Sequence, residues 1–484
     1  MARSDRLTGL DSSFLHLEQG ASHMHVAAAI VCEGPAPTYD ELVEHILARL
    51  HLVPRYRQRL AFVPLAQGRP TWVDDPHFNI AFHVRHTALP DPGDESQLRR
   101  LCGRVFSQAL DRSRPLWELW LVEGLSEDRF ALLSKTHHAL VDGISGIDIV
   151  SVLFDTSADP VPAGPVPAWI PRPLPTDAQL LADALLERAT VPAEIARGIR
   201  AAWRGPRQVV ARLAHAAAGL GAVAQVAQSA PASPFNLKIG PHRRFAWASG
   251  DLADFKMVKN ALGGTVNDVV LAVVAGALSR YLARHEELDE DLVLRAMVPL
   301  SVRSDLERGT PGNRVAAMWC ALPVGVVDPA ERLLRISHEM DGVKDSSQAV
   351  GAQVLTELTG FAPPTIMAQA ARLQARQRLF NLVVTNVPGP QFALYMLGRR
   401  MQAIYPMVPL ASNQALGVAI VSYNGEMYFG LVADFDAVPD LEDLAGDLRL
   451  SLAELVAAAG ASPSDARRAG RRDTRRDGRS RART

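Results

Sequence analysis

The spacing of apolar positions changes along the chain and marks two α/β regions. "LWELWLVEGL" (Leu116–Leu125) and "DRFALLSKT" (Asp128–Thr136) are β-rich runs joined by a polar link, which predicts a hairpin. "ISGIDIVSVLF" (Ile144–Phe154) follows with apolar residues at helical spacing and Gly143 at its start. From Leu7 to Asp155 short strands and helices alternate. In the second region "TVNDVVLAVVAGALSRYLARH" (Thr265–His285) predicts a long helix, and "DLVLRAMVPLSV" (Asp291–Val302) and "LFNLVVTNVPG" (Leu379–Gly389) predict buried strands. "LGVAIVSYNGEMYFGLVADFD" (Leu416–Asp436) reads as two alternating strands around Asn424-Gly425, a favoured two-residue turn. A helix from about Asp440 to Ala459 closes this region.

Between the two regions the pattern breaks. Asp159 to Pro175 is dense in proline and predicts an extended linker. Thr176 to about Ser229 reads as mostly helical, with breaks at Pro192 and Pro206. From Arg188 to Arg212 it carries six arginines against one glutamate, interleaved with Ile195, Ile199, Trp203, Val209 and Val210. That pattern suits either a membrane-surface or lid element or a linker helix packed on its neighbour. The expected organisation is therefore 1–158, 159–241, 242–460 and a tail at 461–484, of mixed α/β class with a cleft between the halves.

Composition narrows the function. With 48% hydrophobic and 21% charged residues over 484 positions, the chain is globular and long enough for two cores. A net charge of −1 gives no reason to expect nucleic acid as a partner. Charge is unevenly placed: nine arginines against three aspartates in Ser464–Thr484 leave the tail at +6 and the rest at −7. The tail is too polar to build a core and is expected to be disordered. Cys32, Cys102 and Cys320 are far apart, as in a reducing cytoplasm, and have no metal-ligand spacing. The opening "MARSDRLTGLDSSFLHLE" lacks the apolar run of a signal peptide, and no stretch approaches ~18 consecutive apolar residues.

The candidate chemistry lies in "KTHHALVDG" (Lys135–Gly143). A histidine at a strand end can project its ring into a cleft, and near neutral pH it accepts and returns a proton readily. Adjacent side chains on extended backbone point to opposite faces, so His137 and His138 are not expected to reach one substrate hydroxyl together. Asp142 is placed to order the loop, and Gly143 to permit a tight turn. A structural histidine pair and a metal pair are the competing readings; no HExxH, CxxC or carboxylate cluster supports metal.

"HHALVDG" (His137–Gly143) resembles the HHxxxDG signature of the bacterial wax ester synthase/diacylglycerol acyltransferase family. "LTGLDSSFLHLE", "HMHV", "RPLWELWLVEGL", "GPHRRFA", "TVNDVVLAVVAGALSRYL", "MVPLSVR" and "TNVPGP" are similar to further segments of that family in the same order, over about residues 7 to 460.

The resemblance implies two halves like chloramphenicol acetyltransferase, with the catalytic histidine in a tunnel at their interface. It implies transfer from a long-chain acyl-CoA to diacylglycerol or a fatty alcohol, with acyl-CoA as substrate, no cofactor and no metal. His138 is expected to be the general base and His137 to shape the site or hydrogen-bond His138. Asp142 is expected to be an orienting residue with Arg303 as its partner, alongside Gly143, Asn267 and Asp268 as site-organising residues. Asn267 is expected to touch substrate or tie the halves together, against the plainer reading of Asn267-Asp268 as a helix cap. An acyl-enzyme is not required, and no GxSxG is present. The expected location is the cytoplasm, peripherally bound to the inner membrane or lipid inclusions. Two other readings share these residues: a condensation-type acyltransferase with another alcohol acceptor, though no DFGWG-type motif is seen, and a non-catalytic lipid-inclusion protein.

Overall fold

A computed structural model describes residues 6–140, 149–159, 166–187, 229–301, 315–345 and 378–460. Asp142, Gly143, Arg303, the expected breaks at Pro192 and Pro206, the basic stretch from Arg188 and the arginine tail lie outside the described residues.

The first half opens with α1 (Gly9–Leu17), β1 (His25–Glu33) and α2 (Tyr39–Arg49). A small ribbon of β2 (Gln58–Ala61) and β3 (Thr71–Asp74) follows, then α3 (Ile80–His83), β4 (Val84–Ala88) and α4 (Glu95–Phe106). The expected hairpin is β5 (Trp117–Leu125) and β6 (Arg129–His137), paired antiparallel. Its turn holds Glu127 and Asp128 at positive φ, 64° and 50°, a geometry whose twist matches that of paired strands. Of the helix expected over 144–154, α5 (Ile149–Leu153) is the described part. Beyond the linker, residues 177–187 are helical.

The second half comprises β7 (Arg243–Asp251), α6 (Leu252–Leu262), α7 (Val266–Arg284), β8 (Leu294–Ser301), β9 (Val315–Leu322) and α8 (Pro329–Asp345). It continues through β10 (Leu382–Pro388), β11 (Tyr395–Met396), β12 (Arg399–Met407), β13 (Leu416–Tyr423), β14 (Glu426–Asp434) and α9 (Leu441–Gly460). The β13–β14 turn is Asn424-Gly425, with φ of 49° and 91°. Among the described residues α7 is the one helix long and apolar enough to span a membrane, yet Val269 to Leu278 are all buried in the second core.

Two mixed six-stranded sheets result, ordered β11-β12-β1-β6-β5-β4 and β7-β14-β13-β10-β8-β9. Chain order and spatial order part company at β11 and β12, which come from the second half but join the first sheet. β12 pairs antiparallel with β1, from Ala27 opposite Met407 to Cys32 opposite Met401. The second half is therefore not self-contained. β12 also lies against the second sheet: Tyr423 and Tyr428 donate their hydroxyls to Met401 and Gln402 carbonyls, and Tyr405 stacks on Trp247. At Gly430 the approach is closest, since a Cβ there would sit 1.8 Å from the Pro406 carbonyl oxygen. The joint between the halves is thus built by hydrogen bonds and aromatic packing across β12, which β1 separates from the histidine strand β6.

Candidate active site

β6 runs between β1 and β5, and its last residue is His137, directly opposite His25 of β1. The His137 N–H donates to the Leu116 carbonyl at 2.9 Å, and the His138 N–H donates to the Met24 carbonyl at 2.8 Å. The sheet therefore fixes both backbones. Leu116 and Trp117 of the "PLW" segment are fully buried, and Trp117 Nε1 donates to the Tyr56 carbonyl at 2.8 Å. These residues support the strand through packing and one direct hydrogen bond to the histidine backbone.

The two rings have different surroundings. His137 is buried, with Nε2 2.8 Å from a Glu18 carboxylate oxygen and Nδ1 accepting the Ala139 N–H at 3.0 Å. Because Nδ1 is occupied as an acceptor, the proton sits on Nε2 and is donated to Glu18. His137 does not hydrogen-bond His138. His138 instead stacks on Phe14, with ring centroids 3.8 Å apart and planes 23° apart. Its Nδ1 is buried and, beyond the residue's own backbone, finds no partner among the described residues. Burial pushes the His138 imidazole down to about 4 from its ordinary 6.5, so it is neutral at physiological pH.

Phe14 and Glu18 both belong to the "LTGLDSSFLHLE" stretch. Thr8 caps α1 by accepting the Asp11 N–H at 3.1 Å, and Glu18 follows the last helical residue with its N–H on the Phe14 carbonyl. Four residues apart, they lie on one helix face, and that face meets both histidines. Glu18 also receives Arg112 at 2.8 Å and lies 3.6 Å from His23 Nδ1. Burial alone would push its carboxyl up, but hydrogen bonds from His137, His23 and Arg112 outweigh this and hold it well below the usual carboxylate range. Glu18 is the site residue that sequence reading missed. The signal was the Phe14-to-Glu18 helical spacing inside an already conspicuous segment.

The carboxyl end of α4 is pinned to the same place. The last carbonyls of a helix lack partners within it. His25 Nε2 contacts the Phe106 carbonyl at 2.9 Å, and Lys135 Nζ donates to the Val105 and Gln108 carbonyls at 3.2 and 3.1 Å. Lys135 is wholly buried and lies 3.3 Å from Glu118. The "GPHRRFA" segment completes the joint: the Arg243 N–H donates to Ser107 Oγ at 2.8 Å and its guanidinium to the Ala21 carbonyl at 2.5 Å.

Asn267 and Asp268 sit elsewhere. Thr265, the residue before α7, and Asp268 bond reciprocally: the Thr265 N–H reaches Asp268 Oδ2 at 2.8 Å, and the Asp268 N–H reaches Thr265 Oγ1 at 3.2 Å. That is a helix capping box, the plainer of the two readings. Asn267 Oδ1 accepts from Asn386 Nδ2 at 3.3 Å, tying α7 to β10 within the second half rather than one half to the other. Asn386 belongs to "TNVPGP", so the two segments meet. The partnership expected between Asp142 and Arg303, and the turn at Gly143, fall outside the described residues.

Two mixed sheets joined by an exchanged strand, with a histidine pair at a central strand end, define the chloramphenicol-acetyltransferase-like class of acyl-transfer folds. A starter condensation domain of rhizomide synthetase shares it at a TM-score of 0.54 and 15% identity, over 94% of each chain. The wax ester synthase/diacylglycerol acyltransferase of Marinobacter aquaeolei is more similar, at a TM-score of 0.65 and 30% identity, covering 94% of this chain and all of that one. Residues 7–270 match the model of the wax ester synthase/diacylglycerol acyltransferase catalytic domain, and 311–456 that of the family's C-terminal domain. A probable diacylglycerol O-acyltransferase of Mycobacterium tuberculosis, tgs2, is 38% identical over 461 residues, spanning 93% of this chain and 98% of the relative. A putative enzyme of the same name class from that organism is 34% identical over 471 residues, covering 94% of this chain and 91% of its own length. The chain belongs to the wax ester synthase/diacylglycerol acyltransferase family.

Proposed function

We propose that this protein transfers the acyl group of a long-chain acyl-CoA to an alcohol, making triacylglycerol from diacylglycerol, wax ester from a fatty alcohol, or both. The observation that carries the assignment of roles is the contrast between the two histidine rings: His137 has both nitrogens engaged, whereas His138 is neutral and stacked on Phe14.

His138 accepts the hydroxyl proton as the alcohol oxygen attacks the thioester carbonyl. When the tetrahedral intermediate collapses, the C–S bond breaks and the imidazolium returns that proton to the CoA sulfur. One base serves both halves of the reaction, and acyl-CoA enters as a substrate without any cofactor. With Nδ1 buried against its own backbone, Nε2 is the nitrogen left to face the alcohol. A covalent acyl-enzyme on cysteine gains no support: Cys32, Cys102 and Cys320 are all buried, and burial pushes their thiols up, Cys320 to about 12. Glu18 positions the base. It holds His137, whose Nδ1 in turn holds the Ala139 N–H of the turn that follows His138.

The deciding experiment incubates purified protein with labelled palmitoyl-CoA and either a diacylglycerol or hexadecanol. CoA release with at least one acceptor is expected, and the ratio sets the acceptor preference; release with neither overturns the reading. Peripheral attachment to a lipid surface belongs to the same proposal, supported by the exposed Ile170, Leu174, Leu185 and Leu186 of 166–187. Cosedimentation with anionic vesicles is expected, and a protein left wholly in the supernatant at low salt overturns that part.

A further inference from the structure

A second concavity lies along α4, away from the histidine rings but tied to their strand. It is an open groove of about 980 Å³ between α4, the entrance to β7 and the loop leading into α9. Arg100 and Arg104, four residues apart on α4, share one face of its wall. Arg104 is exposed with no partner among the described residues, and Arg100 donates to the Ser96 hydroxyl at 3.0 Å. Across the groove the Arg244 guanidinium lies 3.8 Å over the Phe435 ring, which is 40% exposed.

Three carboxylates stand at the outer rim, and each already has a cationic or polar neighbour. Glu442 pairs with Arg99 at 3.3 Å, Asp440 lies 3.4 Å from His285 and bonds Tyr281, and Asp443 acts on Arg284. The wall facing the groove therefore keeps Arg104 without a partner among the described residues, and Arg100 held only by the Ser96 hydroxyl and the nearby Asp94 charge. The inner end is Ser107 and Gln108, and the Gln108 carbonyl is held by Lys135, two residues before His137 on β6.

Two guanidiniums on one helix face suit phosphate oxygens, and a guanidinium–phenyl stack suits a nucleobase. We propose that this groove binds the phosphate-bearing nucleotide end of the acyl-CoA donor, with Arg100 and Arg104 on its phosphates and the Arg244–Phe435 stack on its adenine. The inference rests on the acyl-CoA reading above. It places the nucleotide at the surface end of the groove and leaves the flexible thioester arm to run toward β6.

The test compares two donors, palmitoyl-CoA and palmitoyl N-acetylcysteamine thioester, which lacks the nucleotide. The wild type and the R100E/R104E variant are assayed with diacylglycerol in neutral detergent micelles. The expected result is a rise of roughly tenfold or more in KM for palmitoyl-CoA, with kcat within about twofold and an unchanged rate on the short thioester. Adenosine 3′,5′-bisphosphate is expected to compete with palmitoyl-CoA in the wild type and to lose potency in the variant. An unchanged KM for palmitoyl-CoA, or an equal loss on both donors, overturns the proposal. So does a defect that appears only when the acceptor is presented in anionic vesicles, because the groove would then bind lipid headgroups. Should the double variant melt early, R104Q alters one exposed side chain and must still raise that KM. A wild type inactive on both donors would instead refute the acyltransferase reading itself.

Discussion

Two pairs of adjacent polar residues, His137-His138 at the end of β6 and Asn267-Asp268 at the start of α7, look alike in the sequence and are held differently in space. At α7 the partners are nearby: Asp268 closes a capping box with Thr265, three residues away, through one carboxylate oxygen, while its other oxygen is buried without a partner among the described residues, and Asn267 meets Asn386 on the adjoining strand. At β6 the partners come from across the first half, from Glu18, Met24, Leu116 and Phe14. Among the described residues, Nδ1 of the His138 ring finds no partner beyond its own backbone. A polar pair bonded this close to home stabilises a helix end. A polar pair held by distant elements depends on the packing of the whole first half, and the proposed chemistry falls to its less engaged member.

The largest effect expected from this contrast is at His138. His138→Ala should lower kcat by about a thousandfold or more, because it removes the proposed base rather than its support, while circular dichroism stays unchanged. Comparable losses at Asp268 would erase the distinction between the two ends. The pH profile sharpens the point. A base must be neutral, and burial depresses His138 to about 4, so kcat/KM should hold nearly level as pH falls from 7 and drop only toward pH 4. A limb near the ordinary histidine value of 6.5 would show that the ring is more hydrated than its surroundings suggest. Stability follows the same sign. The folded state resists protonation that the unfolded chain accepts, so stability is complete above 6.5 and falls as pH descends through that value toward 4.

Smaller losses are expected at the support. Glu18→Gln and His137→Ala should each lower kcat roughly ten- to a hundredfold and leave measurable turnover, with KM for the acceptor nearly constant. Glu18→Ala should also lower the melting temperature, since it strands the buried His137 N–H. Equal kcat loss in His137→Ala and His138→Ala would show the two roles to be divided wrongly. The smallest effects belong to α7. Asp268→Ala should cost about 1 kcal/mol of stability in chemical denaturation, and Asn267→Ala about half that, each with kcat within about twofold.

Both hairpins, the long helix at Thr265–His285 and the closing helix were legible because each is written in local periodicity and turn chemistry. Asn424-Gly425 and the alternating runs around it specify their own pairing. The candidate base was legible because a histidine pair at a strand end is rare and its strand is recognisable. Glu18 was not, since a carboxylate 119 residues before His137 acquires its role only when α1 packs against the end of β6. The same reason hid β12, whose residues Arg399–Met407 carry no sign that they will leave the second half and pair with β1.

By itself the sequence determined the local elements, the family and the residues fit for proton transfer, because those follow from short-range spacing and side-chain chemistry. Tertiary structure alone decided which histidine is tied to Glu18 and which is stacked on Phe14, because burial and partnership depend on segments far apart in the chain. It also decided that the "ND" pair meets its neighbours within the second half and that an arginine-lined groove forms between α4, β7 and α9. Those outcomes depend on how α4, β7 and α9 are packed, and no local pattern encodes that packing.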